Sequence, residues 1–113
     1  MVKTTDPSTL GNFEEYVMLA VIRAGERAYG MAVRRELEVV TERAVTIGSV
    51  YATLDRLEAK GLVESWRTTI GGDAQSRRVF GVTAAGTRAL AETRALRDKL
   101  WDGVRLRTPL RHA

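Results

Sequence analysis

From Asn12 to Gly25 the chain reads NFEEYVMLAVIRAG, and its apolar residues point nearly all round a helix. Phe13, Tyr16, Val17, Met18, Leu19, Val21 and Ile22 leave little polar surface, with Asn12 placed to cap the start and Gly25 to stop the end. A helix apolar on every side is covered on more than one side, either as the centre of its own core or against a second chain. The pattern leaves both open. The next stretch, AYGMAVRRELEVVTE, puts Tyr29, Val33, Leu37 and Val40 on one helical face. Met31 and Arg35, one turn apart, point away from it, and Met31 reads as core or interface. RAVT then breaks the periodicity.

The third stretch, TIGSVYATLDRLEAKGLV, carries an apolar stripe of Ile47, Val50, Leu54 and Leu57, with Thr46 as cap and Gly61 as stop. Its opposite face is Gly48, Ser49, Ala52, Asp55, Arg56 and Ala59, with Tyr51 at the boundary. Several of these are small and neutral, where a surface helix ordinarily carries Lys and Glu. LVESWRTT and RRVFGVT follow as two strands by their β-branched and aromatic content. Leu62 and Trp66 share one face of the first, and Trp66 is expected to be a core aromatic. Phe80 and Val82 share one face of the second. The joining loop, IGGDAQS, is too long for a two-residue hairpin. Thr83 caps a last helix from Ala84 to about Val104, striped with Ala89, Leu90, Leu96, Leu100 and Val104, with Trp101 beside the stripe.

Composition narrows the chemistry. A chain of 113 residues suits one domain with a modest core. The absence of cysteine removes disulfides, thiolate metal sites and Cys nucleophiles. The single histidine, His112, lies next to the C-terminus and belongs to a tail rather than to a catalytic arrangement. There is no phosphate loop, GGD at Gly71–Asp73 is too short to count, and no carboxylate pair shares an apolar helix face. No enzyme activity, cofactor or metal is therefore expected. No apolar run approaches the ~20 residues of a membrane span, and MVKTTDPSTL is too polar for a signal core, so a cytoplasmic location is expected. The net charge of +4 favours an anionic partner only weakly.

Three helices followed by a two-stranded hairpin is the order of a winged helix-turn-helix, a mainly α fold whose third helix enters the DNA major groove. A groove about 12 Å wide admits a helix only when its backbone comes close to base edges. Gly48, Ser49 and Ala52 permit that approach. Ser49, Tyr51, Thr53 and Arg56 then offer hydrogen bonds to bases or phosphates. Arg77 and Arg78 on the wing suit phosphates or the minor groove, and Arg34 and Arg35 on the second helix are placed to clamp the backbone. Asp73 is out of place if the wing tip touches DNA. Each piece alone has an ordinary reading, as a packed helix face or as solvated arginines. The ordered combination carries the nucleic-acid reading.

These residues resemble the PadR family of bacterial transcriptional regulators, its short-chain members most closely. The matching elements are AYG at Ala28 to Gly30, Gly48-Ser49-Val50-Tyr51 followed by Leu54, Leu57, Gly61 and Leu62, then SRRVFGVT at Ser76 to Thr83 and TAAG at Thr83 to Gly86. The likeness covers about residues 10–105. It departs at Ile47, where proline is common, and in the wing, which lacks Gly-Arg-Pro-Arg. Val79 and Gly81 stand where an aromatic and an arginine are expected on the outward face. Residues 1–10, with Pro7 and several hydroxyl residues, read as a flexible arm and 106–113 as a tail, while the resemblance implies a DNA-binding domain at 11–83 and a C-terminal dimerisation helix at 84–105. It further implies a homodimer reading a pseudo-palindromic double-stranded operator, and repression relieved by a small molecule or another signal. Phe13, Val17, Leu90, Leu96, Leu100 and Val104 are the expected dimer contacts. In some relatives planar apolar effectors stack on interface tryptophans, which would give Trp101 that role, although simple packing of the interface is the favoured reading for it. The competing reading is a winged helix used for protein–protein contact, for which the mixed surface of Asp55, Arg56 and Glu58 leaves room.

Overall fold

The structure, a computed structural model, describes residues 10–69 and 76–107. Helices α1 (Asn12–Ala24), α2 (Gly30–Thr41) and α3 (Ile47–Ala59) are followed by strands β1 (Val63–Thr69) and β2 (Ser76–Val82) and by helix α4 (Ala84–Trp101), with a short 3-10 turn at Gly25–Arg27. The architecture is a winged helix-turn-helix with a C-terminal helix, as the hydrophobic pattern and the element order predict.

The core is built from the inward stripes. Val17, Met18 and Val21 of α1 meet Val33 and Leu37 of α2, and Val50, Leu54 and Leu57 of α3. Phe80 closes it from the wing. Strands β1 and β2 are antiparallel, with Val63 opposite Val82 and Arg67 opposite Arg78. The backbone just before α2 adds a short third edge: Tyr29 bridges Val79, and Phe80 N–H donates to the Ala28 carbonyl at 2.9 Å. Thr46 and Thr83 cap α3 and α4, their hydroxyls accepting from the N–H of Ser49 at 3.1 Å and of Gly86 at 3.0 Å. Gly86 is required by packing. A Cβ there would lie 2.1 Å from the Leu62 carbonyl oxygen and 2.7 Å from Val82 Cγ1.

Several expectations are corrected. Gly11, not Asn12, caps α1, and the Glu14 carboxylate reaches back to accept from its N–H at 3.1 Å. Leu10 is buried in the core rather than part of an arm, and residues 1–9 lie outside the described residues. Trp66 is 48% exposed rather than core, because it stands on the outer side of the wing, where its ring seats over Gly81. Val79 shares the outer face of the hairpin with its register partner Trp66, yet it is buried, with the Tyr29 segment bridged to it on the other side. Val40 and Met31 are exposed. Helix α4 ends at Trp101, and Gly103, at φ +77°, turns the chain before Val104. His112, Asp73 and the GGD loop lie outside the described residues. Among the described residues no helix is long and apolar enough to cross a membrane.

Candidate nucleic-acid interface

Helix α3 presents the face that the sequence singles out. Gly48, Ser49, Ala52, Asp55, Arg56 and Ala59 are all exposed, while Val50, Leu54 and Leu57 are fully buried. The glycine is not needed by the chain's own packing. A Cβ built at Gly48 meets nothing within 4 Å, and its backbone is helical. Glycine in a helix costs up to about 1 kcal/mol relative to alanine.

Thr53 leaves the candidate set. It is only 2% exposed, and its hydroxyl accepts from Arg56 Nη2 at 3.2 Å. Arg56 itself is accessible, its Nε lying 3.8 Å from Glu14 Oε2. Lys60 donates to the same Glu14 oxygen at 2.8 Å. Burial pushes the Glu14 carboxyl up, but the hydrogen bonds from Lys60 and Gly11 and the charges of Lys60 and Arg56 outweigh it, leaving it below its ordinary value. This tie from α1 to the end of α3 was not anticipated. Its only signal in the sequence is the three-residue spacing from Gly11 to Glu14.

Tyr51 sits at the rim of α3. Its ring packs 6.4 Å from that of Phe80, tilted by 57°. It also lies over Gly30, where a Cβ would come within 2.3 Å of its Cζ and hydroxyl oxygen. The glycine of AYG thus makes room for the tyrosine of α3 and sets where its hydroxyl emerges.

The wing arginines have different surroundings. The Arg77 guanidinium stacks 4.5 Å from the centre of the Tyr29 ring. Arg78 turns inward toward α3. Its Nη2 donates to Glu58 Oε1 at 2.6 Å and to Asp55 Oδ1 at 3.2 Å, its Nε donates to Ser65 Oγ at 3.2 Å, and its guanidinium covers the Phe80 ring at 4.7 Å. The Ser65 hydroxyl in turn donates to Glu58 Oε2 at 2.9 Å. Ser65 first, then Arg78, hold the Glu58 carboxyl below its ordinary range. For Arg78, burial opposes the charge, yet the bonds to Glu58 and Asp55 keep its guanidinium more firmly protonated than usual. Arg67, paired across the strands from Arg78, is exposed on the same face of the hairpin and was missed by the sequence reading. On α2, Arg34 donates to Glu38 at 3.4 Å, and Glu38 also accepts from the Val45 N–H at 2.9 Å, fixing the turn into α3. Arg35 is exposed.

The expected dimer contacts divide. Val17 is fully buried within its own chain, and Phe13 and Leu90 are partly buried against the same core. Leu96, Leu100, Trp101 and Val104 are exposed, Leu100 to 70%. Helix α1 keeps a second apolar face of Tyr16, Leu19 and Ile22 in the open. Toward the C-terminal end of α4, Arg97 holds the buried Glu15 of α1 through two hydrogen bonds, one from Nη1 to Oε2 at 3.0 Å. A cleft of about 410 Å³ beside this pair is lined by Leu19, Leu90, Ala91 and Arg94.

Comparison with known proteins agrees with the geometry. The model of the transcriptional regulator PadR-like family matches residues 18–92. Transcriptional regulator Rv3488 of Mycobacterium tuberculosis is 43% identical over 56 residues, which is 50% of this chain and 50% of that protein, so the chain spans about half the length of this curated relative. A PadR family transcriptional regulator from Eggerthella lenta superposes with a TM-score of 0.61 at 31% identity, covering 77% of this chain and 75% of that one. RosR of H. salinarum superposes at 0.63 with 27% identity, covering 88% and 84%. The chain belongs to the PadR-like family of transcriptional regulators.

Proposed function

We propose that the protein is a cytoplasmic repressor that binds double-stranded DNA as a homodimer, each subunit placing α3 in the major groove and its wing along the flanking phosphates. The observation that carries this is the bare, exposed face of α3, with a glycine at 48 that no intramolecular contact explains. Ser49 and Arg56 are the base- and phosphate-reaching groups, and Tyr51 reaches a phosphate from the rim. Arg35, Arg67 and Arg77 supply backbone contacts, with Arg34 a weaker one because of Glu38. Residues 11–83 form the reading unit. The exposed stripe of α4, covered by the partner's α1 or α4, holds two such units about one helical turn of DNA apart on a pseudo-palindromic operator. Trp101 packs that interface. Selection of binding sequences from a random duplex pool tests the reading. Recovery of a two-fold symmetric site supports it, and recovery of no sequence above background refutes it.

A further inference from the structure

Arg78 is one of the two wing arginines expected to contact phosphate, yet it is committed elsewhere. Its Nη2 and Nε reach Glu58, Asp55 and Ser65, and its planar face lies on Phe80. Asp55 belongs to the exposed face of α3, and Glu58 stands one turn further on beside the wing. Two carboxylates next to a DNA-reading helix repel the phosphates it must approach. A guanidinium is suited to hold both, since its planar fork directs donors to separate acceptors while its face stacks on Phe80, which a compact lysine ammonium cannot do. Arg67, opposite Arg78 on the neighbouring strand, is exposed and makes one long hydrogen bond, from Nη1 to the Ser76 carbonyl at 3.4 Å, so it is better placed to serve the phosphates.

We infer that Arg78 is a positioning residue: it offsets one of the two negative charges of Asp55 and Glu58 and ties the wing to α3, so that this edge of the reading helix meets DNA with its negative charge reduced. The inference rests on the DNA-binding reading for its consequence, while the tie itself is intramolecular. Arg78 therefore acts on DNA affinity through the two carboxylates, and its loss matters only while they are present.

The test is a cycle of variants on the full chain: Arg78→Gln, the pair Asp55→Asn with Glu58→Gln, and all three together, with Arg67→Gln as a comparison. Binding to a duplex selected by the wild-type protein is measured across a salt series. Arg78→Gln is expected to weaken binding roughly tenfold, from two exposed charges each of the several-fold size typical of surface pairs. Neutralising the two carboxylates should leave affinity at or above the wild-type value and should restore the Arg78→Gln protein to at least near wild type. Arg67→Gln should flatten the salt slope by about 0.9, the mark of a lost phosphate contact. Additive effects, or Arg78→Gln flattening the slope as Arg67→Gln does without rescue, would make Arg78 a phosphate ligand and overturn the inference. So would an Arg78→Gln protein that binds as the wild type does. The same variants are unfolded by urea without DNA, where the Arg78 and carboxylate substitutions should be non-additive in their midpoints. If the wild type selects no duplex, the DNA reading fails by itself, and additivity in urea then overturns the tie while non-additivity upholds it.

Discussion

Replacing Gly48 by alanine separates the needs of the fold from those of the partner. A Cβ at this position meets nothing within 4 Å, and the residue is helical, so the folded chain has no objection to a methyl group. Alanine is favoured over glycine in a helix interior by up to about 1 kcal/mol, and in the first turn a gain of about 0.5 kcal/mol is reasonable. In a domain of this size 1 kcal/mol moves the melting temperature by about 4–8 °C, so Gly48→Ala should melt about 2–4 °C higher. Circular dichroism at fixed protein concentration reads this, the concentration being held because an oligomer's melting depends on it. On DNA the sign reverses. A methyl group forced into a close approach costs about 1–3 kcal/mol, a loss of about 5- to 150-fold in affinity. Gly48→Leu should lose more. A lower melting temperature for Gly48→Ala would show that the chain itself requires the glycine. A stabilised protein with undiminished affinity, in both variants, would show that this face does not approach DNA.

Gly86→Ala should be severe, since the new Cβ would meet backbone at the Leu62 carbonyl; a loss of about 3 kcal/mol is expected in urea unfolding, and a neutral result would contradict the packing described. Glu14 has a folded pKa below its ordinary 4.5, so its stabilising contribution is present above that value and is lost as pH falls through the lower folded value. Glu14→Gln should therefore destabilise the protein at pH 7, and the difference from wild type should shrink as melts are repeated below pH 4.5; a difference constant with pH would remove the ion pair as its source. Leu100→Asp introduces a charge at a residue 70% exposed in the single chain, so it should halve the mass seen by light scattering while leaving helical content unchanged. An unchanged mass would discard the role given to α4.

The fold was legible because α2 and α3 carry their core on one stripe at helical spacing, and because Thr46, Gly61 and Thr83 mark ends that local chemistry determines. The small face of α3 was legible for the same reason. Side-chain partners were not. Thr53 lies about 40° round the helix from Leu57, close enough to the stripe to be buried once α1 and the Arg56 side chain cover it. Whether Arg78 points to solvent or to α3 depends on strand register, which pairs it with Arg67 and sets it above Glu58 and Asp55. Trp66 was misplaced because an alternating strand has two faces and the sequence does not say which is covered. Its seat on Gly81 is a cross-strand feature. Val17 was assigned to a dimer because α1 is apolar all round. Only packing shows that Val17, Met18 and Val21 serve the chain's own core while Tyr16, Leu19 and Ile22 remain outside.

The most direct test is a fluorescence titration of the purified protein with duplex DNA from upstream of its own coding sequence, against a scrambled duplex, at two salt concentrations. A preference of about 10³-fold or more for the upstream duplex, weakening as salt rises, is the expected result for an operator-reading regulator. Equal binding to both duplexes, or binding to neither, would contradict it.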